Sequence, residues 1–179
     1  MNKVFFLIIA AAIIFALGCT PFRQASEHTI ASVDTVSLDV PFVAQQQTND
    51  CGPAALASVL HYRGIDIPLE EITDEVYIPA LGRTLMPDME NYARDLGRST
   101  RSGRGNIEFL KESLDEADPV IVLMEAGSGL IGSPHYIVIW GYTLRGFIAH
   151  IGKRPNAFIE FDELERRWKE MNSLYLVVE

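Results

Sequence analysis

The sequence predicts an α+β domain behind an export signal. Three observations lead there: an apolar N-terminal run ending in Gly18-Cys19, helix-like segments gathered in the first half of the remainder, and apolar strand-like segments gathered in the second. Helices that come first and strands that come later, rather than strict alternation, are the α+β pattern. The length of 179 residues allows one compact domain. Hydrophobic residues make up 48% and charged residues 22%, so wholesale disorder is excluded. With 15 Lys+Arg against 24 Asp+Glu the formal charge is −9, which phosphate repels, so no nucleic-acid partner is expected. Two cysteines cannot build a disulfide scaffold.

Lys3 is followed by Val4 to Leu17, a stretch without a polar residue, and then by Gly18 and Cys19. A positive start, an apolar run and small residues before a cut point read as a signal peptide over residues 1–18. The run is too short to span a bilayer comfortably, which takes about 20 residues. Residues 19–34 are polar and lack apolar periodicity, which reads as a tether, and 35–179 remain for the domain. Val36 to Val43 alternates as a strand ending near Pro41. Pro53 suits the first turn of a helix, continued by Ala54, Ala55, Leu56, Val59 and Leu60 and stopped near Gly64. That places Cys51 at a helix N-terminus.

Short helices are expected at Leu69–Val76, Pro87–Leu96 and Ile107–Ala117, the last capped by Asn106. Pro119–Met124 is a continuous apolar run of the buried-strand kind, and His135–Tyr142 and Phe147–Ile151 form two strands around a turn at Arg145-Gly146. Asp162 with Glu165 three residues on has capping-box spacing and starts a helix through Trp168. Leu174–Val178 closes the domain as a strand. There is no internal repeat.

A cysteine nucleophile acts as the thiolate, which a helix N-terminus favours by lowering the thiol pKa. A neighbouring histidine completes the activation, and donors aimed at the developing oxyanion come from the cysteine N–H and a side-chain amide. The sequence supplies Cys51 before a helix, Gln45 six residues earlier and His135 at the head of an apolar strand.

Val40-Pro41-Phe42, Gln45, Asp50-Cys51-Gly52-Pro53-Ala54-Ala55-Leu56 and then Pro134-His135-Tyr136-Ile137-Val138-Ile139-Trp140-Gly141-Tyr142 resemble the C39 family of papain-like cysteine peptidases, over about Val40 to Trp168. The resemblance implies a papain-like fold with N-terminal helices packed on an antiparallel sheet, and a peptide or protein substrate cut without a cofactor. By the same resemblance Cys51 is the nucleophile, His135 the general base and acid, and Gln45 the oxyanion donor, with Gln46 and Gln47 close enough to take that role instead. The family carries an Asp about 15 residues beyond the histidine; here Ile148-Ala149-His150-Ile151-Gly152 stands in that place. His150 can orient the His135 ring by accepting a hydrogen bond, but it brings no negative charge, which puts efficient turnover in question and leaves a weakly catalytic peptide-binding domain as the alternative.

Phe15-Ala16-Leu17-Gly18-Cys19 resembles the bacterial lipobox, although Ala16 occupies the usual leucine position. It implies lipidation of Cys19 and a lipid-anchored domain in the bacterial cell envelope, outside the cytoplasm, leaving Cys51 without an intramolecular partner.

Other signals have plainer readings. Gly127-Ser128-Gly129-Leu130-Ile131-Gly132 fits G-x-G-x-x-G, but Ser133-Pro134 and a strand follow where a nucleotide site needs a helix, so a loop flanking His135 is expected. Arg94, Arg98, Arg101 and Arg104 read as a solvated basic face, and His28 and His61 as a tether residue and a surface helix residue. A Zn²⁺ site of Cys51, His135 and His150 is the remaining alternative, since thiolate and imidazole suit that ion.

Overall fold

The computed structural model describes residues 23–26, 35–127 and 133–179. The expected signal peptide, Cys19, most of the tether and residues 128–132 of the glycine-rich run lie outside them. In chain order the elements are β1 (Arg23–Gln24), β2 (Val36–Ser37), α1 (Cys51–Tyr62), α2 (Leu69–Val76), β3 (Tyr77–Ile78), β4 (Arg83–Thr84), α3 (Met86–Asp95) and β5 (Thr100–Arg104). They continue with α4 (Ile107–Asp115), β6 (Val120–Glu125), β7 (Pro134–Tyr142), β8 (Gly146–Ile151), β9 (Arg154–Glu160), α5 (Phe161–Lys169) and β10 (Leu174–Val178). The main sheet is antiparallel, in the order β1-β9-β8-β7-β6-β10-β5, with β2 paired to the end of β7; β3 and β4 form a separate hairpin.

Helices cover both faces of this sheet. On one, α1, α2 and α3 bury Leu56, Leu60, Ile72 and Met89 against Tyr136, Val138, Trp140 and Ile148. On the other, α4 and α5 bury Leu110, Leu114, Leu164 and Trp168 against Val122, Ile137, Ile139 and Phe147. A strand with both faces covered reads as an unbroken apolar run rather than an alternation, which is why Val120–Met124 and Tyr136–Trp140 looked continuous. The α+β class with N-terminal helices on an antiparallel sheet holds, and α4 and α5 add a layer behind it.

α1 shows which effect decides a helix here. Gly52 disfavours the helical state by about 1 kcal/mol relative to Ala, and no side chain caps the first turn. Against that, Leu56, Val59 and Leu60 are wholly buried, and burying one such side chain contributes about 1.5–3 kcal/mol. Packing wins over propensity.

Several expectations shift. Residues 23–26, expected within a tether, instead reach the sheet: Arg23 and Gln24 pair with Phe158 and Ala157, and Ala25 donates to the Asn156 carbonyl at 2.6 Å. The strand expected over Val36–Val43 pairs with β7 only at Val36 and Ser37, followed by one more bond from the Leu38 amide to the Trp140 carbonyl at 2.9 Å. The Asp162 capping box does not form: α5 begins at Phe161 with Glu160 in the cap position and no side-chain cap bond. Asn106 does cap α4, accepting from the Phe109 amide at 2.8 Å.

Candidate active site

Cys51 is the first residue of α1, so its backbone N–H and that of Gly52 are among the amides the helix leaves unpaired. Asp50 precedes it, 95% buried in effect at 5% exposure, and turns its carboxylate backwards to accept from the Gln46 and Gln47 amides at 2.9 and 3.0 Å. That bond pair folds the Gln45–Asn49 segment over the start of the helix. The sulfur meets the backbone amides of Tyr136 and Gly52, which ties the head of α1 to β7. Tyr136 also packs close to this turn of the helix: a Cβ on Gly52 would stand 3.0 Å from Thr84 Cβ and 3.2 Å from Tyr136 Cδ2, so a larger residue would require these neighbours to shift.

A cleft of about 330 Å³ runs between the Thr48–Cys51 segment, the Gly82–Leu85 stretch after the β3–β4 turn, and the first residues of β7. Its volume falls in the range of about 300–1,000 Å³ typical of ligand sites. Cys51 and His135 both line it, so the structure brings nucleophile and base candidates into one opening. Among the residues lining the cleft, Arg83 is the one with a permanent charge.

Burial pushes the Cys51 thiol up; the Tyr136 and Gly52 amides pull the other way, and the Asp50 charge adds to the rise. Burial also pushes the His135 imidazole down. These directions correct the expectation of a resting thiolate. The helix terminus is present, but desolvation outweighs it, and both groups are shifted towards their neutral forms.

Gln45 is held by its backbone, which donates to the Gly152 carbonyl at 3.1 Å, and by its side chain, whose Nε2 donates to the Gln47 carbonyl at 2.7 Å. Its Oε1 is buried without a partner, as is Nε2 of His135. Gly152 lies between them in the left-handed region, with φ +56°; a Cβ there would stand 2.7 Å from Gln45 Oε1 and 3.3 Å from His135 Nε2.

The structure sets His150 apart from this pair. On β8 it pairs with Val138, three residues along β7 from His135. Its Nε2–H donates to the Val40 carbonyl at 2.9 Å, and its Nδ1 faces the Asn156 amide at 3.5 Å. The rings of Phe42 and Trp140 pack on it at 5.1 and 5.4 Å. Both nitrogens are committed, so the hydrogen bond expected from His135 is not made. Burial pushes its pKa down, against the Val40 carbonyl. With Cys51 it lines a separate void of about 10 Å³, the size of a single water.

Sequence reasoning passed over Asp50, Tyr136 and Gly152. Asp50 and Tyr136 stand next to Cys51 and His135 in the sequence, yet Asp50 acts through its carboxylate on two loop amides and Tyr136 through its own amide, contacts that no spacing reveals. Among the described residues no group of three His, Cys, Asp or Glu is placed to hold a metal ion, so Cys51, His135 and His150 do not converge as a ligand set. Cys51 is a free thiol, and among the described residues no helix is long and apolar enough to cross a membrane. His61 is a helix residue as expected, its Nε2 within 2.9 Å of the Ile67 carbonyl. Two of the four arginines are paired rather than merely solvated: Arg94 with Glu90, and Arg101 with Glu179 and Asp118.

A cysteine at a helix start and a histidine at a strand head, meeting across a helix–sheet junction, define a papain-like arrangement. The chain belongs to the Peptidase C39 family, whose model matches residues 39–176. Among solved structures it is similar to the peptidase domain of Streptococcus ComA, a bi-functional ABC transporter involved in a quorum-sensing pathway, at 25% identity and TM-score 0.64, covering 76% of this chain and 95% of that one. A double glycine motif protease from an AMS/PCAT transporter, solved in complex with the leader peptide, shares the fold at 21% identity and TM-score 0.65, covering 82% and 98%. A candidate C39-like peptidase from Bacillus anthracis does so at 18% identity and TM-score 0.67, covering 81% and 97%. No curated protein matches the chain significantly.

Proposed function

We propose that this protein is an exported, lipid-anchored cysteine peptidase that cuts peptide bonds through Cys51 and His135. The observation that carries the reading is the shared cleft, with the Cys51 sulfur held at the Tyr136 amide one residue from His135. Because both groups rest neutral, the thiol proton moves to His135 as the sulfur attacks the substrate carbonyl carbon. The oxyanion that forms is held by the Cys51 N–H and by Gln45, whose amide has a second proton besides the one given to Gln47. Collapse breaks the C–N bond, and the leaving amine takes the proton from His135. Water then hydrolyses the thioester, giving one proton back through His135 to the sulfur and releasing the carboxylic acid, which loses its remaining proton to solvent.

Membership of a peptidase family supports a peptide substrate, as does a structural neighbour solved with a leader peptide. The Gly18-Cys19 signature supports the anchor. A second reading, a peptide-binding domain of weak turnover, draws on His150 standing in the family's Asp position with both nitrogens engaged. Peptide release from a mixed library separates the two. Wild type should cut, Cys51→Ala should be inactive, and His135→Ala should lose about 10²–10⁴-fold; binding without release by wild type would favour the second. Mass spectrometry of the membrane fraction should find an acylated N-terminal Cys19, and an unmodified internal Cys19 would end the anchor proposal.

A further inference from the structure

We propose that Gln45 is the positioning residue for His135: its Oε1 accepts, directly or through one water, the proton on His135 Nε2, and so takes the place of the carboxylate the site lacks. This rests on the peptidase reading and deepens it. Three observations converge. His135 Nε2 is buried with no acceptor, and Gln45 Oε1 is buried with no donor; an unmade hydrogen bond of this kind costs about 1–3 kcal/mol per group, so two such atoms in one place call for each other. Both close on the bare face of Gly152, at 2.7 and 3.3 Å from where a Cβ would stand, and the positive φ of that residue keeps the face free. The amide is also already turned the right way. Its Nε2 donates to the Gln47 carbonyl, so the inner atom is the oxygen.

The competing acceptor is eliminated by its own bonds. His150 donates Nε2–H to Val40 and offers Nδ1 to the Asn156 amide, leaving no lone pair for His135. With Nε2 carrying the proton, His135 Nδ1 is the nitrogen left free to take the thiol proton. One side chain then serves both sides of the reaction: the oxygen of Gln45 sets the base, and its remaining N–H meets the oxyanion.

Activity alone does not test this, since the same residue is placed at the oxyanion. The test is the tautomer of His135, read by ¹H–¹⁵N correlation on histidine-labelled full-length protein at pH 7.5, with the signal assigned from His135→Asn. Wild type should show the Nε2–H form in excess, by up to about tenfold for one net hydrogen bond, with a slowly exchanging proton. Gln45→Leu should bring the two tautomers towards equality and speed the exchange, while Gln45→Glu should keep the Nε2–H form. An Nδ1–H majority in wild type overturns the proposal without any variant, and so does a tautomer ratio indifferent to Gln45→Leu. The two readings fail separately: no peptide release with the tautomer result intact sinks the peptidase, whereas peptide release with an indifferent tautomer sinks only the role of Gln45.

Discussion

Cys51 is subject to opposed influences of unequal strength. A helix N-terminus stabilises nearby negative charge by about 0.3–1 kcal/mol at an exposed site, and the Tyr136 and Gly52 amides add to it, yet burial prevails and the thiol stays protonated. On the proposed mechanism the nucleophile is made at the moment of attack rather than stored. A small neutral alkylating agent should therefore react with a pH profile that inflects at or above the unperturbed value of about 8.5, because no standing imidazolium holds the thiolate. His135→Ala should leave that inflection nearly unmoved while removing turnover, since the histidine acts as a base and not as a resting counter-charge. An inflection well below 8.5 that moves upward in His135→Ala would show a preformed ion pair and reverse this account.

The junction of β8 and β9 is the element on which the site turns. It was half legible. Phe147–Ile151 read clearly as a strand, because both its faces are covered and every residue of β8 is buried. β9 was missed: Arg154-Pro155-Asn156 carries turn residues, and Asn156 does adopt a positive φ of 56°. Only the pairing with β8 and with β1 makes the segment a strand, and pairing partners are invisible in a local pattern. β5 was missed for another reason, being a polar edge strand with Arg101, Ser102 and Gly103 at its centre. The site followed the same division. The positions of Cys51 at a helix start and His135 near a strand head were legible because such boundaries are one-dimensional, whereas the partners of His150, the Val40 carbonyl and the Asn156 amide, come from other strands and segments. Gly152 tests the junction. Gly152→Ala forces a side chain into the left-handed region, at about 1–2 kcal/mol, and drives a Cβ to within 2.7 Å of Gln45 Oε1. Turnover should fall by tenfold or more while the thermal midpoint drops only a few degrees; unchanged kcat with Gln45 and His135 intact would mean the cradle is dispensable.

Across the whole molecule the two histidines fill one role in common. Both His135 and His150 are held below their ordinary pKa by burial, on adjacent strands of the sheet that joins the two cores. The unfolded chain binds a proton at each near pH 6.5, the folded one only at lower pH. Protons are therefore taken up on unfolding, and stability falls with falling pH wherever the unfolded state binds more of them. The contribution is fully present above about pH 6.5 and is lost as the pH falls towards the folded values. The urea midpoint should be flat from about pH 8 to 7 and then decline steadily towards pH 5.5. His150→Gln removes one of the two groups while keeping a donor for the Val40 carbonyl, so its decline over the same range should be shallower than in wild type. The opposed outcome is a midpoint level down to pH 5.5 in both proteins, which would mean that the two rings take up protons in the folded state as readily as in water and are not desolvated as the structure has them.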